Sequence, residues 1–173
     1  DDVVATCLEA GFWNFAMRTV ELEASTDVVP EFGLNYAYDK PSDWVRTYKM
    51  SANERFDPPL DEWHDEQGYV FADVEPLYLR YVSNDTDTGL NLTIWPRSFA
   101  AYVEHALADA VCLNVSSSET AKDRLTKALR KAKADALAKD AMNQSMEFPP
   151  TGTWVQSRTN GMRGRSRWNG RFS

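Results

Sequence analysis

Leu77-Tyr78-Leu79-Arg80-Tyr81-Val82 is the stretch on which the fold turns. Aromatic and apolar side chains alternate across it, which makes it the clearest strand in the chain. Upstream of it the period-two pattern recurs. Trp13, Phe15 and Met17 alternate with Asn14, Ala16 and Arg18, and then Val20 and Leu22 alternate with Glu21 and Glu23. Leu34, Tyr36 and Tyr38 alternate next and stop at Pro41, Trp44–Met50 reads as a strand, and Gln67-Gly68 turns the chain into Tyr69–Ala72. Residues 13–83 therefore predict a small antiparallel sheet of about four to six strands, with no βαβ pattern.

Downstream the period changes. After the polar loop Asn84–Asn91, Pro96 suits the first turn of a helix. Phe99, Val103, Ala106, Leu107, Ala110, Val111 and Cys112 follow helical spacing to about residue 114. Ser117 or Ser118 with Glu119 starts a second helix, expected to about residue 145, with Ala121, Leu125, Ala128, Leu129, Ala132, Ala136 and Leu137 as its stripe. The short serine link predicts an antiparallel helix hairpin. Residues 1–10 predict a short helix ended by Gly11. The expectation is an α+β chain that is mainly a helical bundle with a long antiparallel helix hairpin, a small antiparallel sheet inserted, and an extended C-terminal arm. Residues 1–146 form the body and 147–173 the arm. The chain starts at Asp1 without Met, so a preceding N-terminal piece is expected.

Charge divides the chain in the same place. From residue 147 on, Arg158, Arg163, Arg165, Arg167 and Arg171 face Glu147 alone, a net of +4, so the −7 of the whole chain leaves −11 on residues 1–146. A body this acidic repels phosphates and argues against a dedicated DNA-binding domain. At 43% hydrophobic residues the chain can bury a core. Cys7 and Cys112 belong to no CxxC pair and read as buried free thiols, which fits assembly inside a cell. No stretch approaches the ~20 apolar residues needed to span a bilayer.

Catalytic, cofactor and metal signatures are missing. His64 and His105 are the only histidines, and neither has metal spacing. The acids Asp57, Asp61, Glu62, Asp65 and Glu66 lack an Asp-x-Asp-x-Asp-Gly loop and read as a charged loop. There is no GxSxG, P-loop or GxGxxG. Asn84-Asp-Thr86 and Asn91-Leu-Thr93 match glycosylation sequons, but nothing marks the chain as secreted. No enzyme is expected.

Five ordered motifs carry a resemblance: Trp13-Asn14-Phe15-Ala16-x-Arg18, Leu22, Tyr36-Ala37-Tyr38, Pro41-x-Asp43-x-x-Arg46, and Leu77-Tyr78-Leu79-Arg80-Tyr81 before an alanine-rich helix pair. Together they resemble the head-to-tail adaptor of tailed bacteriophages, of the tail tubular protein A kind. Lys40 and Val45 stand where that family has leucines. The resemblance covers about residues 8–146. It marks Trp13, Phe15, Arg18, Tyr36, Pro41, Asp43, Arg46, Tyr78 and Arg80 as motif positions.

The resemblance implies a virion protein at the portal vertex, assembled in the host cytoplasm. Copies of the chain would form a dodecameric ring between the portal protein and the next tail protein, and viral DNA would pass through without sequence-specific binding. It gives Trp154, Arg158, Arg163, Arg165, Arg167, Trp168, Arg171 and Phe172 the role of a portal-docking arm, and Arg and Trp are enriched at binding hot spots. The alternative is a nucleic-acid-binding protein that uses the same tail, since Gly161–Arg167 (GMRGRSR) resembles a short RG-rich element.

Overall fold

A computed structural model describes residues 2–28, 30, 33–116 and 119–144. In chain order they form α1 (Asp2–Glu9), a 3-10 turn (Asn14–Ala16), β1 (Met17–Leu22), β2 (Tyr36–Asp39), β3 (Trp44–Ser51), β4 (His64–Glu66), β5 (Tyr69–Ala72), β6 (Leu77–Ser83), α2 (Arg97–Ser116) and α3 (Glu119–Ala141).

The strands make two antiparallel sheets. The first has the order β1-β6-β3 and the second β2-β5-β4. In the first, β6 is central, so Leu79 faces Val20 on one side and Met50 on the other. In the second, the Gln67-Gly68 turn joins β4 to β5. Both turn residues have positive φ, 51° and 91°, which the glycine accepts at no steric cost.

Two apolar cores result. One gathers Cys7 and Leu8 of α1, Trp13, Ala16, Val82 of β6, Phe99, Tyr102 and Val103 of α2, and Ala136 of α3. The other lies between the sheets and holds Leu77, Leu79 and Tyr81 of β6, Met50 of β3, Tyr38 of β2, and Val70 and Ala72 of β5. The β6 alternation explains the division, because residues two apart share a face and Val82 points the other way. The first sheet thus stands between the helices and the second sheet.

The expected architecture is corrected here. The three helices are 8, 20 and 23 residues long and share the body with two three-stranded sheets, so the chain is not mainly a helical bundle built on a long helix hairpin with one inserted sheet. The physical reason lies in β6. Its apolar face of Leu77, Leu79 and Tyr81 is covered by a second sheet, so one of the two cores forms without any helix. Two local boundaries also differ. Residues 14–16 form a 3-10 turn instead of strand, closed by the Ala16 amide donating to the Trp13 carbonyl at 3.0 Å. The helix expected to residue 145 gives way to a turn after Ala141.

Candidate functional site

Asp43 anchors the polar cluster that joins the sequence motifs. Its neighbour Pro41 accepts the Trp44 amide at 3.0 Å, a tight turn that sets the Asp43 side chain beside β6. The Asp43 carboxylate accepts hydrogen bonds from the Tyr81 hydroxyl at 3.0 Å, the Ser83 hydroxyl at 2.5 Å and the Arg18 guanidinium at 2.9 Å. Arg18 reaches on to Asp85 at 3.4 Å. The Asp43 carbonyl accepts the Asn84 amide at 2.9 Å. Ser83 also receives the Asp85 amide at 3.0 Å and lies 2.8 Å from the Thr88 hydroxyl. The cluster therefore ties β1, β3, β6 and the 84–91 loop together.

Electrostatics follow from this geometry. Burial alone would raise the Asp43 carboxyl, but the hydrogen bonds from Ser83, Tyr81 and Arg18 outweigh it and hold the group below its ordinary range. Burial, with the hydrogen bond to the Asp43 carboxylate, pushes the Tyr81 phenol well above its ordinary value. A phenol so held stays a neutral donor, so the arrangement is built to fix three strands in register.

A second polar joint links the ends of the described body. The Asp140 carboxylate of α3 accepts the Asn14 amide at 3.1 Å, and the Asn14 side chain donates to the Asp140 carbonyl at 2.9 Å. Nearby, the Trp13 indole donates to the Cys7 carbonyl at 2.9 Å. Phe15 and Trp13 close on Phe99 with ring centroids 4.7 and 4.8 Å away. The Trp-Asn-Phe-Ala motif is thus the seam between α1, α2 and α3.

The remaining motif positions take separate places. Arg46 donates to the Glu9 carbonyl at 3.1 Å, at the end of α1, and its guanidinium lies 4.2 Å from the Phe12 ring centre. A cation suits the carbonyl end of a helix. The Arg80 guanidinium lies 5.6 Å from the Tyr48 ring centre, and among the described residues its buried Nε has no hydrogen-bond partner. Tyr78 reaches Glu21 across the β1–β6 pair at 3.4 Å. Tyr36 packs at the margin of the inter-sheet core. Of the three strand arginines, Arg18 pairs with acids, whereas Arg46 and Arg80 rest against aromatic rings. The arm positions Trp154, Arg158, Arg163, Arg165, Arg167, Trp168, Arg171 and Phe172 lie outside the described residues.

Reading the sequence missed Ser83, Asp85, Thr88 and Asp140. Asp140 had a signal, because it continues the α3 stripe four residues after Ala136 and so falls on the buried side. Ser83 had a weaker one, as it directly prolongs the strand pattern. His64 is exposed on β4 and His105 half-buried on α2. Among the described residues no group of three or more His, Cys, Asp or Glu side chains is placed to hold a metal ion, and no helix is long and apolar enough to cross a membrane. Beside α2 and α3 lies an open groove of about 310 Å³, lined by Ala101, His105, Ala128, Lys131, Ala132 and Lys139 among others. Compared with known proteins, the chain matches no family model and no curated protein.

Proposed function

We propose that the chain is a virion structural protein, a head-to-tail connector adaptor of a tailed bacteriophage. In this reading copies form a ring between the portal and the next tail protein, and the arm 147–173 docks on the portal. The observation that carries the proposal is the Asp43 joint. Arg18, Asp43 and the Leu77–Val82 strand come from three separate motifs of the resemblance, and they meet through direct hydrogen bonds. The helical bundle is no part of this support.

The body's charge of −11 fits a wall past which DNA slides without sticking. The arm's five arginines and two tryptophans supply the charged and aromatic contacts that dominate interfaces. Electron microscopy and mass measurement of the chain mixed with portal rings test the reading. A ring stacked on the portal ring is expected, and removal of residues 148–173 should abolish it while leaving a folded body. Full docking by the truncated chain would refute the arm's role. A second reading, nucleic-acid binding through the tail, rests on Gly161–Arg167. It predicts DNA affinity that falls steeply with salt and disappears with the same truncation.

A further inference from the structure

The charge of the folded body is segregated. The helix α3 carries seven Lys and Arg against four acids. Residues 57–75, which include β4 and β5, carry seven acids and no Lys or Arg. The first sheet separates these two regions, since it packs helices on one face and the second sheet on the other. One subunit therefore carries a basic helix, α3, on one side of the first sheet and an acidic segment on the other.

The α2–α3 groove borders this basic helix. Its lining is apolar where Ala101, Ala128 and Ala132 leave room, and cationic at Lys131 and Lys139, both exposed. Asp135 is the one acid along it. On the acidic side, Asp61, Glu62 and Glu66 are exposed, and β4 is one of the two edge strands of its sheet. Leu60 and Trp63 of the same segment pack against the inter-sheet core, so what the segment turns outward is its acids. The exposed lysines along the groove complement these exposed acids in charge.

We propose that the α2–α3 groove receives the acidic 57–66 segment of a second copy of this chain. The contact joins unlike surfaces, so it is heterologous and propagates from copy to copy, closing to a ring where the rotation permits. It deepens the proposed function by naming the surfaces through which copies of the adaptor meet, and it rests on that reading for its biological setting only.

Sedimentation velocity on the full chain tests it, run between about 0.01 and 1 M salt, where the screening length falls from roughly 30 to 3 Å. Mass above the monomer is expected at low salt and should decline as salt rises. Lys131→Glu with Lys139→Glu should weaken association by about tenfold or more, as should Asp61→Lys with Glu62→Lys. Combining both pairs in one chain should restore it, because the attraction is then reversed rather than removed. All four positions are exposed, and circular dichroism confirms that each variant is folded. A chain that stays monomeric at low salt, or a combined variant no better than either pair alone, overturns the proposal. Portal docking is scored separately. Association without docking defeats the adaptor reading alone, and docking by a chain that shows no salt-dependent association defeats the groove alone.

Discussion

Asp43 and Asp140 each tie together chain segments far apart in sequence, yet their carboxyl groups shift in opposite directions. Burial raises both. Among the described residues the donors to Asp140 are the amide and side chain of Asn14, and burial wins, so the group sits above its ordinary value. At Asp43 two hydroxyls and a guanidinium converge, and the balance tips the other way. The difference teaches that depth and donors act together, because Asp140 is both the more buried of the two and the one with fewer donors. Asp43 is an ionic clamp at the sheet, whereas Asp140 is closer to a polar spacer between helix and turn.

The largest effect should come from breaking the clamp through its backbone. Gly89 closes the 84–91 loop against β6, and a Cβ there would overlap the Ser83 carbonyl oxygen. The Trp95 indole also holds the Gly89 carbonyl at 2.9 Å. Gly89→Ala should therefore cost about 3 kcal/mol or more, read as a fall in the urea midpoint. A cost within experimental error would show that the loop is not fixed on Ser83. Next comes Asp43→Asn. An amide offers one acceptor oxygen where three donors converge, and its own NH2 would face hydroxyl hydrogens. A loss of about 2–3 kcal/mol is expected. Arg18→Met follows. Arg18 is 44% exposed, so its pair with Asp43 is screened, and the urea midpoint should fall by less than for Asp43→Asn. An Arg18 cost equal to that of Asp43 would mean that the guanidinium, rather than the two hydroxyls, sets the clamp.

How far the sequence showed these features depends on how local each one is. The Leu77–Val82 strand and the Tyr69–Ala72 strand behind its Gln67-Gly68 turn were legible, because a period of two and a turn signal sit within a few residues. The Trp13–Ala16 stretch showed the same alternation without being a strand. There Trp13 and Phe15 both face Phe99, so aromatic packing around a 3-10 turn imitates period two. The division into two sheets was not legible. Met17 pairs with Val82 and Tyr36 with Ala72, and no local pattern states which strands will meet. The motif series named Arg18 and Asp43 but not their contact, nor the hydroxyls of Tyr81 and Ser83 that complete it. Asp140 was hidden by its type, since an acid on a charged helix reads as solvated.

The smallest effect separates the two carboxylates most sharply. Asp140→Asn keeps an acceptor for the Asn14 amide and should cost under about 1 kcal/mol. The informative quantity is how that cost changes with pH. Because the folded state raises the Asp140 carboxyl, the folded chain holds this proton more tightly than the unfolded chain. The stabilisation is present below the ordinary carboxylate value and is lost as pH rises through the folded one. The cost of Asp140→Asn should therefore shrink as pH rises between about 3 and 7. Asp43 behaves in the reverse sense. Its lowered carboxyl stabilises the fold above the ordinary value and loses that contribution as pH falls through the folded one, so the cost of Asp43→Asn should grow over the same interval. Urea midpoints of both variants and the parent across this range would show two opposite slopes. Parallel slopes would mean that Asn14 supplies Asp140 with as much as Arg18, Tyr81 and Ser83 supply Asp43, and the distinction between clamp and spacer would not stand.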